Sequence, residues 1–112
     1  KGIEVVGLVP CLHEHFAACD LAIVQGGATS TGELAVLRTP FIYFPIEGHS
    51  EQANVARILT RRGAGIRLSL SETTPERLAG QMIATLGAEV SYPAVRGDGA
   101  QRAADALVDL MT

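Results

Sequence analysis

The sequence predicts an α/β fold in which a parallel sheet carries helices on both faces. Short apolar runs rich in β-branched and aromatic residues alternate with segments whose apolar residues recur at helical spacing. The runs are apolar throughout rather than alternating, as in strands that are buried on both faces. Strands that alternate with helices pair in parallel through right-handed crossovers, so the expected order is β-α-β-α-β-α-β-α-α.

The predicted strands cover residues 3–9, 20–25, 41–46 and 65–70, and the predicted helices cover residues 11–19, 31–38, 51–62, 73–86 and 100–111. Pro45 is expected to end the third strand, and Gly63 the third helix. Pro75 suits the first turn of the fourth helix, with Thr73 or Thr74 as its cap. Asp98 is the expected cap of the last helix.

Length and composition indicate one folded domain covering residues 1–112. The chain is 47% hydrophobic and 19% charged, which argues against disorder. Its formal charge of −3 argues against nucleic-acid binding, which needs clustered positive charge. Cys11 and Cys19 form no disulfide framework, so we expect buried, reduced thiols in a cytoplasmic protein. The sequence shows no signal peptide, and a start without Met suggests a piece of a longer protein.

The segment QGGATSTGE, residues 25–33, follows the second predicted strand. Ligands bind beyond the carboxyl ends of strands in open parallel sheets. The start of the next helix offers unpaired N–H groups and a partial positive charge, and Gly26 and Gly27 let the backbone approach a ligand. With the hydroxyls that follow, this turn suits a phosphate, although capping of the helix alone explains the same residues.

Glu33 has two interpretations. Residues 30–33 match the S-x-x-E capping box, in which Glu33 would reach back to the backbone N–H of Ser30. A functional Glu33 would instead face a part of the ligand away from the phosphate. Vicinal ribose hydroxyls are suitable, because one carboxylate can accept hydrogen bonds from both.

A second polar segment, EGHSEQAN at residues 47–54, follows the third predicted strand on the same edge of the sheet. Glu51 and Gln52 can bond hydroxyls or amides, and Gln52 points either at a ligand or at a buried backbone group. His49 is either a substrate contact or a turn residue. His13 and His15 lie on different sides of a helix, so we predict no metal site and no catalytic set.

The two polar segments, in this order and spacing, resemble the C-terminal, nucleotide-sugar-binding half of GT-B glycosyltransferases. The similar run extends from Asp20 through Gln52 to Gly65, and the likeness covers about residues 5–86. It is similar to the family 28 type, which includes the bacterial N-acetylglucosaminyltransferases that build peptidoglycan precursors. The resemblance implies a Rossmann-like domain that lacks its first β-α-β unit. The missing strands would lie between the first two predicted strands, leaving a rearranged sheet or a gap filled by another chain, including a second copy.

The resemblance also implies a UDP-sugar site. The diphosphate would be held by the loop and helix start, at Gly27, Ala28, Thr29 and Ser30. Glu33 would bind the ribose hydroxyls, Glu51 and Gln52 the donor sugar, with His49 as a further candidate, and the Val9 amide the uracil. Gln25 stands where many members have His or Arg, so it can donate to a phosphate without adding charge.

The implied function is donor binding for hexosyl or N-acetylglucosaminyl transfer, with no cofactor and no bound metal. By the family's architecture, the base and acceptor pocket belong to an N-terminal domain, so this chain alone would be inactive. The full-length protein is expected in the cytoplasm, peripheral to the membrane. Two alternatives stay open: a UDP-sugar 2-epimerase-like domain, which has a similar glycine loop and glutamate, and a non-catalytic interaction module of the same fold.

Overall fold

The structure, a computed structural model, describes residues 2–112. Five helices and three strands occur in this range, in the order α1 (Leu12–Ala18), β1 (Ala22–Gln25), α2 (Ala28–Leu37), β2 (Phe41–Phe44), α3 (Ser50–Arg62), β3 (Ile66–Arg67), α4 (Pro75–Thr85) and α5 (Gly99–Met111). The predicted α/β class with a parallel sheet is confirmed.

The sheet has the order β1-β2-β3, and both pairings are parallel. β1 and β2 align without offset, from Ala22 beside Phe41 to Gln25 beside Phe44. β3 contributes only Ile66 and Arg67, so it is shorter than predicted. Because the carboxyl ends of β1 and β2 are level, the two polar segments leave the sheet side by side.

The main core cluster combines residues of β1 and β2 with residues of α1, α2 and α3. Its buried members are Phe16, Ala22, Leu34, Phe41, Tyr43, Ala56, Leu59, Ala64 and Tyr92. The Phe41 and Tyr43 rings are tilted at 44° with centroids 5.8 Å apart, a favourable aromatic arrangement. This packing fixes α2 and α3, the two helices that follow the polar turns.

Several helix and strand ends are confirmed. β2 ends at Phe44, directly before Pro45, and α3 ends at Arg62, with Gly63 as its C-cap residue at a φ of 73°. The Thr74 hydroxyl caps α4 by accepting from the Arg77 amide at 3.2 Å. Asp98 does occupy the N-cap position of α5, but no side chain of the described residues caps this helix. The Asp98 carboxylate accepts instead from Arg96 Nη2 at 2.7 Å.

The predicted first strand is wrong. Residues 3–9 form no strand, and Val5 and Leu8 are 93% and 102% exposed. A strand needs a neighbour for its hydrogen bonds, and residues 2–112 provide none at this place. In the same range β1 pairs only with β2, so its outer edge is open, and Ile23 is 43% exposed. The open edge lies where the resemblance places the missing strands.

The apolar residues of α5 and one of the two cysteines are exposed. On α5, Leu107 and Met111 are among the exposed residues. Cys11 is exposed at the start of α1, whereas Cys19 is half-buried against the core. Across residues 2–112, no helix combines the length and the apolarity that a bilayer span requires.

Tyr92 joins the segment after α4 to the end of α2. Its hydroxyl donates to the Ala35 carbonyl at 3.0 Å, while Arg38 Nη1 donates to the Tyr92 carbonyl at 2.7 Å. Burial raises the pKa of Tyr92, and the Arg38 guanidinium partly offsets this rise. Burial also raises the pKa of Tyr43, against smaller opposing effects of Thr60 and Arg67.

These two tyrosines predict a loss of stability in alkali. Because their folded-state pKa values lie above the unfolded value of about 10, they stabilise the fold fully below that pH and lose this contribution as the pH rises through the folded-state values. Tyr92→Phe should cost about 1 kcal/mol at pH ~8, from the lost hydrogen bond, and should flatten the alkaline decline. Urea unfolding at pH ~8 and pH ~11 measures both effects. An unchanged alkaline slope in the variant would contradict this account.

Candidate functional site

The candidate site lies at the edge of the sheet where β1 and β2 end. Gln25 and Phe44 are register partners, so the glycine turn and the segment from Pro45 to His49 begin next to each other. A Cβ atom built on Gly26 would lie 2.8 Å from the Cα atom of Pro45. The absence of a side chain at Gly26 therefore lets the two turns pack together, which the sequence had indicated only as approach to a ligand.

Gln52 connects the two turns. It is 6% exposed, its Oε1 accepts from the Ile46 amide at 2.7 Å, and its Nε2 donates to Gln25 Oε1 at 3.4 Å. Of the two partners that the sequence left open for Gln52, the structure shows the buried backbone group. The bond from Gln52 also turns Gln25 Oε1 inward, which leaves the Gln25 amide N–H groups available to another acceptor.

His49 and Glu51 lie at the start of α3. His49 is the N-cap residue, and its Nδ1 accepts from the Gln52 amide at 3.3 Å. The structure thus shows His49 in the turn role that the sequence allowed, with its side chain exposed. Glu51 is exposed in the first helical turn, where a carboxylate interacts favourably with the positive end of the helix dipole. The predicted contacts of His49, Glu51 and Gln52 with a donor sugar stay predictions.

α2 begins at Ala28, three residues before the predicted start at Thr31. The capping box is therefore wrong: Gly27 is the N-cap residue, and Ser30 and Glu33 lie inside the helix. Thr31 is 1% exposed, and its hydroxyl donates to the Gly27 carbonyl at 2.7 Å. This hydroxyl bonds back by one helical turn, so it is not directed at a ligand beyond the helix start.

The start of α2 has the chemistry of an anion site. No side chain within residues 2–112 caps this helix, and its first turn carries no acidic residue. By contrast, α3 and α4 are capped by His49 and Thr74 and carry Glu51 and Glu76 in their first turns. The first amides of α2 have no intrahelical partner, so the positive end of its dipole stays available. An atom added at Gly27 would meet no described residue within 4 Å.

Glu33 opens onto a pocket of about 380 Å³ between α1 and α2. The pocket is lined by Thr29, Gly32, Glu33 and Val36 from α2, His13 from α1, and Gly97 from the segment before α5. Glu33 is half-buried, one turn along the helix from Thr29. Thr29, one of the predicted phosphate residues, and Glu33, the predicted ribose residue, thus lie on the same side of α2.

The structure adds His13 to the predicted residues. α1 packs against α2, and this contact brings His13 to the Glu33 pocket. The sequence drew attention to His13 only as a rejected metal ligand, and its distance in sequence from Glu33 gave no other signal. Val9, half-buried, lies in the loop that leads into α1.

A second groove has a volume of about 540 Å³ and lies where β1 and β2 end. Its lining includes Ile23, Gln25, Ile46 and Leu70. At its border, Glu47 Oε1 accepts from the hydroxyls of Ser69 and Ser71 at 3.2 and 3.1 Å. These bonds hold the loop after β3 against the turn after β2. In the part of the chain that the structure describes, no group of three His, Cys, Asp or Glu side chains could hold a metal ion.

Comparison with known families decides the classification. The sequence model of the glycosyltransferase family 28 C-terminal domain matches residues 2–108. The chain belongs to this family. The resemblance seen in the glycine turn and in the segment from Glu47 to Asn54 is thereby confirmed.

Relatives of this family 28 domain include enzymes named UDP-N-acetylglucosamine–N-acetylmuramyl-(pentapeptide) pyrophosphoryl-undecaprenol N-acetylglucosamine transferase. The one from Acidiphilium cryptum is 32% identical over 85% of this chain and 27% of its own length. The one from Rhodopseudomonas palustris BisB18 is 36% identical over 89% of this chain and 28% of its own length. An uncharacterized glycosyltransferase of Methanosarcina mazei is 36% identical over 68% of this chain. No solved structure gives a significant match.

Proposed function

We propose that this family 28 domain binds the UDP part of a nucleotide-sugar donor, within a protein that transfers a hexosyl or N-acetylglucosaminyl group. The observation that carries the proposal is the uncapped start of α2 beside the Glu33 pocket. The diphosphate would accept from the first amides of α2 and from the hydroxyls of Thr29 and Ser30. The Glu33 carboxylate would accept from the ribose hydroxyls.

The remaining contacts follow from the orientation of the two turns. The Gln25 amide can donate to a phosphate oxygen, since its carbonyl oxygen is held by Gln52. Glu51 and His49 stand on the opposite turn, where the sugar would lie, and Gln52 would orient both turns. The Val9 amide would meet the uracil. In this arrangement helix amides, rather than a cofactor or metal, offset the charge of the leaving diphosphate.

We propose that the acceptor pocket and the general base come from an N-terminal domain. The chain spans 27% of the length of its Acidiphilium relative, so most of that enzyme lies outside the aligned segment. The open edge of β1, with Ile23 bare beside it, is a place where further strands would complete the sheet. A second copy of this chain would be an alternative source of such strands. Sedimentation of the chain alone, and of the chain with a separate N-terminal domain, distinguishes these sources.

Glu33→Ala tests the donor site. We expect UDP to bind roughly tenfold more weakly to this variant, because a charged acceptor for two hydroxyls is lost. The free energy of unfolding should change by less than about 0.5 kcal/mol, since Glu33 is not in a capping position. Calorimetric titration with UDP and urea unfolding measure the two quantities.

Glu51→Ala is the matched control. It should leave the affinity for UDP unchanged and weaken only UDP-N-acetylglucosamine, because Glu51 is assigned to the sugar. If the unaltered chain binds neither nucleotide, the proposal is wrong. If Glu33→Ala lowers stability but leaves UDP binding unchanged, the assignment of Glu33 is wrong.

A further inference from the structure

The pocket between α1 and α2 is lined by a histidine as well as by the carboxylate that is assigned to the ribose. His13 lies in the first turn of α1, and Glu33 lies in the second turn of α2. Both line the same pocket of about 380 Å³. His15, two residues further along α1, does not line it. Of the two histidines in the HEH sequence, one therefore lines the pocket and the other does not.

The two side chains have complementary hydrogen-bonding capacity. A carboxylate can only accept hydrogen bonds. Glu33 can therefore accept from vicinal hydroxyls, but it leaves the lone pairs of their oxygen atoms without a donor. A neutral imidazole carries one N–H donor and one acceptor nitrogen. A diol between Glu33 and His13 would thus donate hydrogen bonds to the carboxylate and accept one from the imidazole N–H.

The rest of the pocket suits the carbon atoms of a sugar ring. Val36 contributes an apolar wall, and the chain closes in beside it at Gly97. A Cβ atom at Gly97 would lie 3.3 Å from Val36 Cγ1, so the segment before α5 leaves little space there. Thr29 also lines the pocket, near the start of α2 where the diphosphate is proposed to lie.

We propose that His13 is a second ribose-binding residue, which donates a hydrogen bond to the diol held by Glu33 and so favours ribonucleotides over 2′-deoxyribonucleotides. This inference rests on the proposed donor site and extends it to α1. It assigns to His13 a contact with the ligand itself. The selectivity arises because the imidazole keeps its partner only when the 2′-hydroxyl is present.

The experiment titrates UDP and 2′-deoxy-UDP into the chain and three variants. The unaltered chain should prefer UDP. Because Glu33 also binds the diol, His13→Ala should weaken UDP binding about three- to tenfold and 2′-deoxy-UDP binding much less, which reduces the preference without removing it. His13→Gln keeps an N–H donor and should recover part of it. His15→Ala, the matched control, should behave like the unaltered chain.

The outcomes separate this inference from the donor site itself. If the unaltered chain binds UDP and His13→Ala binds each nucleotide with the same affinity as the unaltered chain, the role of His13 is refuted and the donor site stands. If the unaltered chain binds no UDP, both fail. The imidazole NMR signals of the unaltered chain give a reading that needs no variant. Those of His13 should shift on addition of UDP and hardly at all with the deoxynucleotide, while a shift equal for His13 and His15 would contradict the proposal.

Discussion

Replacing Gly26 with alanine should lower the free energy of unfolding by about 2 to 3 kcal/mol, because the added methyl group has no space. Its Cβ atom would lie 2.8 Å from both the Cα and the Cβ of Pro45, and 3.2 Å from Gln52 Oε1. The first two neighbours belong to a proline ring and its backbone, which cannot rotate away. The turn after β2 would have to move as a unit.

That movement should also affect ligand binding. Displacing Pro45 pulls Ile46 away from the Gln52 carboxamide, which accepts from its amide at 2.7 Å. The start of α2 and the start of α3 would then no longer be held at a fixed separation. We expect the variant to lose measurable UDP-sugar binding even under conditions in which circular dichroism shows it to be folded.

Gly27→Ala is the matched control for this prediction. Gly27 has a φ of −69°, which alanine adopts freely, and a Cβ atom there would meet nothing within 4 Å among the described residues. The cost should stay below about 1 kcal/mol, the usual effect of a poorer N-cap residue. Urea unfolding of both variants decides the matter. Equal losses would show that close packing at Gly26 is not the cause.

The sequence predicted which helices and strands surround the site better than it predicted where each of them begins and ends. Pro45, Gly63 and Pro75 act through their own backbone geometry, so the ends that they mark follow from the sequence alone. The start of α2 was misplaced because residues 30–33 match a capping box, although Gly27 is the N-cap residue and Ser30 lies inside the helix. Only packing decides between these two starts, and Thr31 is buried against the core side of α2.

The strand predicted over residues 3–9 failed for a different reason. Its composition is that of a buried strand, but strand formation depends on a neighbour that lies elsewhere in the fold. The same dependence hides His13, since its place in the Glu33 pocket requires α1 to pack on α2. Local signals thus predict turns and caps, whereas contacts between distant elements need the structure.

Gln52→Met should cost about 2 kcal/mol of stability, although methionine has nearly the same size and shape as glutamine. Gln52 is 6% exposed, and its Oε1 is the acceptor for the Ile46 amide. A thioether leaves that amide without a good acceptor in a partly buried turn, so most of the cost is the unpaired donor rather than lost packing. Urea unfolding measures it.

Gln25→Met provides the comparison, because it removes the acceptor of the hydrogen bond that Gln52 Nε2 donates. Gln25 is exposed and its bond from Gln52 Nε2 is long, at 3.4 Å, so the stability loss should stay below about 1 kcal/mol. If Gln25 also donates to a phosphate, UDP binding to this variant should weaken while its stability hardly changes. Gln52→Met should lower both together, since Gln52 acts on the ligand through the turns that it joins. If Gln25→Met is the more destabilising of the two variants, the hydrogen bond between the Gln25 and Gln52 side chains holds the two turns together. The bond from the Ile46 amide to Gln52 would then not be the main link between them.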